Sequence, residues 1–175
     1  LSAAYYLALA GHKVTLLESE KKAGGVLRFG IPPYRLPNSV LDQEIDDILS
    51  LGVELKTNQT MGRDYQLDSL RDQGFDAVYL SIGAMAAKPT NIPGDDAEGV
   101  MSAIKFLADV NWNEAVDVGN RVIVIGGGDT AMDSVRSAVR MGADTVICAY
   151  RRGEAEMAGR QDERRHAKEE GVEFL

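Results

Sequence analysis

The chain has 175 residues, of which 45% are hydrophobic, and a net charge of −8, a composition typical of a globular protein with one ordinary core or two small ones. The negative charge argues against nucleic acid as a partner, and no apolar run is long enough for a membrane helix. The single cysteine excludes a cysteine redox pair and an internal iron–sulfur cluster, and it favours a reducing, cytoplasmic location.

The first predicted elements are a helix and a strand. Residues 1–10 are apolar nearly all round and end at Gly11, which predicts a buried helix. Residues 14–17 are predicted to form a strand that ends at Glu18. Glu18 could bind a ligand at the end of this strand, and the alternative is that it merely ends a strand in solvent.

A loop and a longer helix follow. Residues 21–37 are rich in glycine and proline, and the paired Gly24 and Gly25 allow the backbone to lie against a flat or charged ligand. The next helix is predicted to begin with Asn38 or Ser39 as its cap. Its apolar side chains recur at helical spacing and predict a core face, formed by Leu41, Ile45, Ile48 and Leu49.

Shorter elements complete the first half of the chain. A strand is predicted at residues 53–56 and a helix at residues 67–72. Residues 75–82 are predicted to form a buried strand that ends at Gly83, at the edge where ligands of open α/β sheets collect. The turn-forming residues 88–96 are the best linker candidate, because they lie between two periodic regions.

The strongest signal lies in the second half, where a predicted apolar strand, residues 121–125, runs into the glycine turn GGGDTA, residues 126–131. Gly126 allows the tight bend, and Gly128 lets a diphosphate approach the backbone. Ala131 keeps the following helix close to the sheet, so that the free N–H groups of its first turn face the phosphates. This pattern predicts a dinucleotide site.

The second strand of this unit selects the nucleotide. Residues 145–150 are predicted to form that strand, and Arg151 and Arg152 follow it. A guanidinium group matches a phosphate dianion, so we predict that the pair binds the 2′-phosphate of NADP(H). The alternative is that both arginines are solvated loop charges.

The other elements of the second half are helices and a short strand. Residues 102–110 are predicted to form a helix before the glycine turn, and residues 172–175 a strand at the end. The charged residues 160–170 predict a solvated helix, although Arg164, Arg165 and His166 could reach a phosphate. In the helix after the glycine turn, the side chains predicted to face the sheet are Met132, Val135, Ala138 and Val139, and those predicted to face solvent are Asp133, Arg136, Ser137 and Arg140.

An internal repeat relates the two halves. Gly11 and Gly142 each close a helix before a strand, at a separation of 131 residues. This alignment places Leu1 one residue after a first glycine turn that the chain is expected to lack. Glu18 and the arginine pair then occupy corresponding ribose positions, the first suited to the free 2′-hydroxyl of FAD and the second to NADPH.

The motifs resemble one family. The sequence GGVLRFGIPPYRLP, residues 24–37, resembles the flavin-domain signature of the glutamate synthase small-subunit family, which includes the NADPH-accepting half of dihydropyrimidine dehydrogenase. GGGDTAMD, residues 126–133, and YRR, residues 150–152, resemble its NADPH domain, and residues 75–94 resemble its connecting strand and hinge. The resemblance implies an α/β fold with two Rossmann-like dinucleotide-binding units, the first without its first strand and glycine loop. The implied domains are a partial FAD-binding domain at residues 1–97 and an NADPH-binding domain, incomplete at its C-terminal side, at residues 98–175.

The resemblance also implies an electron-transfer flavoprotein. NADPH would reduce FAD, and electrons would pass to an iron–sulfur domain or a large catalytic subunit as partner. No side chain is predicted as an acid, base or nucleophile, because the cofactors carry the chemistry. The residues implied for FAD are Glu18, Gly24, Gly25, Val26, Arg35 and Met61. Those implied for NADPH are Gly126, Gly127, Gly128, Asp129, Thr130, Arg151, Arg152 and Arg160.

Two alternative functions remain beside this one. A pyridine nucleotide–disulfide reductase would need a cysteine pair, which the sequence lacks. A non-catalytic module would bind NADPH without flavin and reduce nothing. The presence of flavin in the purified protein discriminates between the reductase and the module.

Overall fold

The computed structural model describes residues 1–112 and 115–175, which form two compact units. The first unit comprises Leu1–Arg28 and Leu36–Ala84, and the second comprises Phe29–Arg35 and Met85–Leu175. A single boundary near residue 97 does not describe these units, because the second unit includes the segment Phe29–Arg35 and resumes at Met85. The assignment of an FAD part and an NADPH part to the chain stays a prediction.

The first unit is built on a pair of parallel strands. Leu16 of the first strand lies opposite Leu55 of the second. Its core cluster is small, with Ala23, Leu41 and Ile45 as the buried members in the described residues. Its elements in chain order are α1 (Ser2–Leu9), β1 (Thr15–Leu17), α2 (Val26–Phe29, whose last residue belongs to the second unit), α3 (Asn38–Ser50), β2 (Glu54–Lys56) and α4 (Leu67–Asp72).

Four details of the predicted first unit are wrong. The first helix is predicted to be buried, but α1 has Ala4 as its buried residue and leaves Tyr6 69% and Leu9 56% exposed. The predicted loop of residues 21–37 contains the short helix α2. Pro37 occupies the cap position of α3, so neither Asn38 nor Ser39 caps that helix. Residues 75–82 form no strand and leave large apolar side chains exposed, Tyr79 by 71% and Ile82 by 67%.

The missing strand has a simple physical reason. A buried strand needs backbone hydrogen bonds to neighbouring strands, and in the described part of the first unit only β1 and β2 pair with each other. The apolar pattern of residues 75–82 is therefore real, but no described segment offers the neighbour that would make it a strand.

The second unit is a three-stranded parallel sheet of order β3-β4-β5. Cys148 lies at its centre, paired with Val124 on one side and with Phe174 on the other. This unit has the larger core, because helices α5, α6 and α7 contribute buried side chains to it, among them Leu107, Met132 and Ala167. Its elements in chain order are α5 (Ala103–Asn111), β3 (Arg121–Ile125), α6 (Asp129–Arg140), β4 (Thr145–Ala149), a 3-10 helix (Glu154–Glu156), α7 (Gln161–Glu169) and β5 (Glu173–Phe174).

The burial of α6 differs from the prediction. Met132, Val135 and Ala138 are buried as predicted, but the side predicted to face solvent is also covered, and Asp133, Arg136 and Ser137 are less than a tenth exposed. The polar side of this helix is covered by Tyr34 and Arg35 of the segment Phe29–Arg35 and by Glu163 of α7. Long-range packing therefore buried charges that helical periodicity places on an outer face.

The described helices are all too short or too polar to cross a lipid bilayer.

Candidate functional site

The glycine turn between β3 and α6 leaves the first turn of the helix open. Gly126 has a φ of +151°, which favours glycine, and its N–H donates to the carbonyl oxygen of Ala149 at 2.9 Å. Gly128 precedes α6 as its cap residue, and no side chain caps the helix there. A Cβ atom at Gly128 would meet nothing within 4 Å. The N–H of Ala131 already donates to the carbonyl oxygen of Gly128 at 3.0 Å, so the N–H groups of Asp129 and Thr130 are the ones available to an anion.

Ala131 has the position predicted for it. A Cβ atom added to Gly126 would lie 3.4 Å from the Cβ of Ala131, an ordinary van der Waals contact. Ala131 itself is buried in the core cluster of the second unit. A larger side chain at residue 131 would push α6 away from the turn.

Gly127 is required for a different reason, the close approach of an aromatic ring. A Cβ atom at Gly127 would lie 2.8 and 2.9 Å from ring carbons of Tyr150 and 3.0 Å from Cγ of Met157. Real Cβ atoms do not approach other heavy atoms so closely, so any side chain here would displace the Tyr150 ring. The glycine turn and the end of β4 therefore pack directly on each other.

A second loop closes against the glycine turn. The N–H of Gly159 donates to the carbonyl oxygen of Gly127 at 2.7 Å, and a Cβ atom at Gly159 would lie 3.2 Å from that oxygen. Arg160 donates from its backbone N–H at 2.9 Å and from Nε at 3.1 Å to the Asp129 carboxylate. The negative charge that begins α6 is thus paired with a cation.

The residues predicted for NADPH therefore come together in the second unit. Arg152 donates to the hydroxyl oxygen of Tyr150 at 2.6 Å, and Tyr150 in turn lies against Gly127. Arg160 is joined to Asp129. Arg151 is exposed beside Arg152. Arg152 and Arg160 are thus connected to the glycine turn, through Tyr150 and Asp129 respectively, and Arg151 is their exposed neighbour at the end of β4.

The residues predicted for FAD divide between the two units. Glu18 directly follows β1, and its carboxylate accepts a hydrogen bond from the backbone N–H of Glu20 at 3.0 Å. Met61 follows β2 and forms an isolated bridge with Tyr65. Both residues thus come after the carboxyl ends of the parallel strands, where α/β sheets bind ligands.

The glycine pair after β1 has the backbone that only glycine adopts readily. Gly24 has a φ of +132° and Gly25 a φ of +53°. A Cβ atom at Gly24 would lie 3.0 Å from Leu41 of α3, whereas one at Gly25 would meet nothing within 4 Å. Gly24 is thus needed for packing, and Gly25 borders open space next to the exposed Val26.

Arg35 belongs to the second unit rather than to the first. Its guanidinium group donates to both carboxylate oxygens of Asp133 at 2.7 Å and lies 3.3 Å from the carboxylate of Glu163. The Arg35 side chain is 16% exposed and that of Asp133 is 6% exposed, so this ion pair is largely shielded from water. Its predicted contact with flavin stays a prediction.

Charged side chains continue this cluster along α6. Arg136 pairs with Glu163 at 2.6 Å and with Glu170 at 2.8 Å. The Tyr34 ring lies 4.7 Å from the Arg136 guanidinium and 4.2 Å from that of Arg140. Burial raises the pKa values of Asp133 and Tyr34 above their ordinary values, although Arg35 and Arg136 respectively act in the opposite direction.

The basic residues of α7 contact protein groups. Arg164 donates to the carbonyl oxygen of Met157 at 2.9 Å and supports the loop above the glycine turn. Arg165 forms ion pairs with Asp162 and Glu169 on its own helix. This arrangement agrees with the solvated helical face predicted for Arg165.

Two contributors to the site lacked a clear signal in the sequence. Tyr150 belongs to the sequence motif YRR, but the contact of its ring with Gly127 depends on β3 and β4 being neighbours in the sheet. Gly159 carries no motif of its own, and a glycine beside Arg160 is a weak indication of a close approach. Pairing between distant segments creates both contacts.

The sequence matches the family of pyridine nucleotide-disulphide oxidoreductases over residues 1–175. The chain belongs to that family. Its single cysteine, Cys148, cannot form an intrachain disulfide and is buried in β4, where burial raises the pKa of its thiol. Membership therefore concerns the dinucleotide-binding fold and not a cysteine pair.

Two sequence relatives illustrate the similarity. The chain is 40% identical over 185 residues to the glutamate synthase [NADPH] small chain of Escherichia coli, covering 99% of this chain and 39% of that protein. It is 43% identical over 175 residues to the NADP(+)-dependent formate dehydrogenase subunit beta of Moorella thermoacetica, covering 98% of this chain and 25% of that one. The chain thus spans less than half the length of these curated relatives.

A solved structure shows the same fold. FprA of Mycobacterium tuberculosis, in complex with NADPH, superposes with a TM-score of 0.79 at 22% identity, covering 97% of this chain and 44% of that one. The predicted α/β fold class and the predicted resemblance to glutamate synthase small subunits are both confirmed.

Proposed function

We propose that the second unit binds NADPH and serves an oxidoreductase that oxidises it. The observation that carries this proposal is the uncapped first turn of α6, which has open space at Gly128 and exposed arginines beside it. The diphosphate would lie against the residues from Gly126 to Thr130. Relatives named as NADPH or NADP(+)-dependent enzymes support the choice of nucleotide.

The 2′-phosphate is assigned to Arg151 and Arg152, with Arg160 nearby. All three side chains are exposed, so they can contact a ligand without a rearrangement of the core. Arg160 already forms an ion pair with Asp129, whereas the partner of Arg152 is the neutral hydroxyl of Tyr150. We therefore assign most of the recognition of the phosphate to the pair that follows β4.

For the first unit, we propose an FAD site at the carboxyl ends of β1 and β2. Glu18 would hold the ribose, and Met61 would lie at the adenine. The open backbone at Gly25 fits a cofactor lying against it. Gly24 and Val26 complete the proposed set. Arg35 belongs to the second unit, where it pairs with Asp133, and its role at flavin stays a prediction.

Bound nicotinamide and flavin together supply the hydride chemistry, and the chain's own residues bind and orient them. We propose that the electrons leave to an iron–sulfur domain or a large catalytic subunit. Relatives named as a small chain or as subunit beta support an assembly with other subunits. A cytoplasmic location fits such an assembly.

The proposed NADPH site is tested by replacing both arginines, Arg151→Ala with Arg152→Ala. The double variant should lose about 100-fold in affinity for NADPH, because charge-assisted hydrogen bonds to the 2′-phosphate are removed. Its affinity for NADH should change by less than about three-fold, because NADH lacks that phosphate. Isothermal titration calorimetry with each nucleotide measures both.

A matched control removes two exposed arginines of the first unit, Arg63→Ala with Arg71→Ala. It changes the net charge equally and should leave both affinities unaltered. Equal affinities of the unaltered chain for NADPH and NADH would contradict the proposed nucleotide preference.

A second candidate function is a module that binds NADPH without flavin. The small core of the first unit favours it, since a proposed FAD site there has a two-stranded sheet as its support. The absorption spectrum of the purified protein separates the two functions. A yellow protein bleached by NADPH supports the reductase, and a colourless protein that still binds NADPH supports the module.

A further inference from the structure

Tyr150 lies where the glycine turn meets the end of β4. Its backbone N–H donates to the carbonyl oxygen of Leu175 at 2.9 Å, which fixes the chain just beyond the strand. Its ring packs on the backbone of Gly127 so closely that a Cβ atom there would lie 2.8 Å away. Backbone contacts thus fix both the main chain of Tyr150, at Leu175, and its ring, at Gly127.

The hydroxyl group of this ring holds Arg152. The guanidinium group donates to the Tyr150 oxygen at 2.6 Å, and its central carbon lies 5.4 Å from the ring centroid. The same hydroxyl donates to the carbonyl oxygen of Glu156 at 3.4 Å. Tyr150 therefore connects Arg152 to the glycine turn and to the 3-10 helix Glu154–Glu156.

Arg151 has a different environment. Within the described residues, no hydrogen bond or ion pair involves its side chain, and it is exposed. A long flexible side chain loses rotamer freedom when it binds a ligand, and that loss weakens binding. Arg152 has already lost part of this freedom, because Tyr150 holds it beside the turn.

We infer that Tyr150 is a positioning residue for nucleotide specificity, which orients Arg152 toward a phosphomonoester on the adenosine ribose. This inference rests on the proposed NADPH site. The Tyr150 hydroxyl uses one guanidinium nitrogen, Nη2, and a guanidinium group carries five N–H donors in a planar fork. The remaining donors of the exposed Arg152 can bind phosphate oxygens.

The test is a double-mutant cycle with Tyr150→Phe and Arg152→Ala, read with adenosine 2′,5′-bisphosphate and with adenosine 5′-monophosphate. These two probes differ in the 2′-phosphate alone. Tyr150→Phe keeps the ring on Gly127 and removes the hydroxyl, so affinity for the bisphosphate should fall about five-fold, the size of one hydrogen bond. Affinity for the monophosphate should stay the same.

The cycle also shows whether Tyr150 acts through Arg152. In the Arg152→Ala background, Tyr150→Phe should have no further effect on the bisphosphate, because the side chain that it orients is gone. The matched control, Tyr79→Phe, removes the hydroxyl of a tyrosine that is 71% exposed in the first unit and should change nothing. Circular dichroism checks that each variant is folded.

Three results would overturn the inference: an unchanged bisphosphate affinity in Tyr150→Phe, an equal loss for both probes, or additive losses in the double variant. Failure of the proposed NADPH site is a separate outcome. It would appear in the unaltered chain, as equal affinities for the two probes.

Discussion

At the scale of single residues, the three glycines of the turn before α6 do different work. Gly126 supplies the positive φ of the bend, and Gly127 makes room for the Tyr150 ring. Gly128 borders empty space and has an extended backbone that other residues also adopt, with φ −97° and ψ 176°. Neither the backbone conformation nor the packing of the protein requires glycine at residue 128. A glycine without a structural requirement is expected where a ligand approaches the backbone.

This difference predicts unequal effects of two alanine substitutions on the free energy of unfolding. Gly127→Ala should lower the free energy of unfolding by about 1–3 kcal/mol, because its Cβ overlaps the Tyr150 ring. Gly128→Ala should change it by less than about 1 kcal/mol, since no atom lies nearby. Urea denaturation followed by Trp112 fluorescence measures both.

The Gly128→Ala variant also tests nucleotide binding. Gly128→Ala should weaken NADPH and NADH alike, by about ten-fold, because a methyl group occupies the space proposed for their common diphosphate. A Gly128→Ala variant with unaltered nucleotide affinity would place the diphosphate elsewhere.

At the scale of elements, the segment Phe29–Arg35 and helix α6 depend on each other. Asn111 of α5 donates to the carbonyl oxygens of Phe29 and Ile31 at 2.8 and 3.3 Å, and Arg35 binds Asp133. These contacts convert the polar side of α6 into buried surface. Removing one partner of a buried pair leaves an uncompensated charge, which costs more than the pair contributes.

Arg35→Ala should therefore destabilise the second unit by about 3 kcal/mol at neutral pH, because the Asp133 carboxylate, 6% exposed, loses its main cation. Urea denaturation detects this loss through Trp112. The matched control is Arg63→Ala, which breaks an ion pair whose arginine is 68% exposed and should have no measurable effect.

The destabilisation by Arg35→Ala should also depend on pH. Burial already raises the pKa of Asp133, and loss of Arg35 raises it further. The folded variant then takes up a proton at a higher pH than the unfolded chain does. Its stability relative to the unaltered protein is recovered as the pH falls through this raised pKa, and is lost again as the pH rises. A destabilisation that grows toward low pH would contradict this account.

At the scale of the whole molecule, the two units have unequal cores. Eleven buried residues form the core cluster of the second unit and three form that of the first, among the described residues. A two-stranded sheet with little buried apolar area is marginally stable. The first unit should therefore unfold at a lower urea concentration than the second.

Cys148 provides the measurement, because it is the single thiol of the chain and is fully buried in the second unit. Helical circular dichroism should decrease first, with α1 and α3, while Cys148 stays protected from a thiol reagent. Labelling of Cys148 should follow at higher urea. Coincident transitions by both measurements would show instead that the units unfold together.

The local parts of the second unit could be predicted from the sequence. The strand β3, the glycine turn, the helix α6 and the strand β4 each follow from patterns within a few residues, and all four are present. Glycine spacing predicts a bend and apolar periodicity predicts an element, because both depend on nearby backbone geometry. The resemblance to glutamate synthase small subunits followed from the same local motifs.

Tertiary structure alone decided what covers those elements. Helical periodicity placed Asp133 and Arg136 in solvent, but a segment about a hundred residues earlier in the chain buries them. Residues 75–82 have the apolar pattern of a strand, yet no described segment pairs with them. Burial and strand pairing are properties of two segments together, and the pattern of one segment cannot specify its partner.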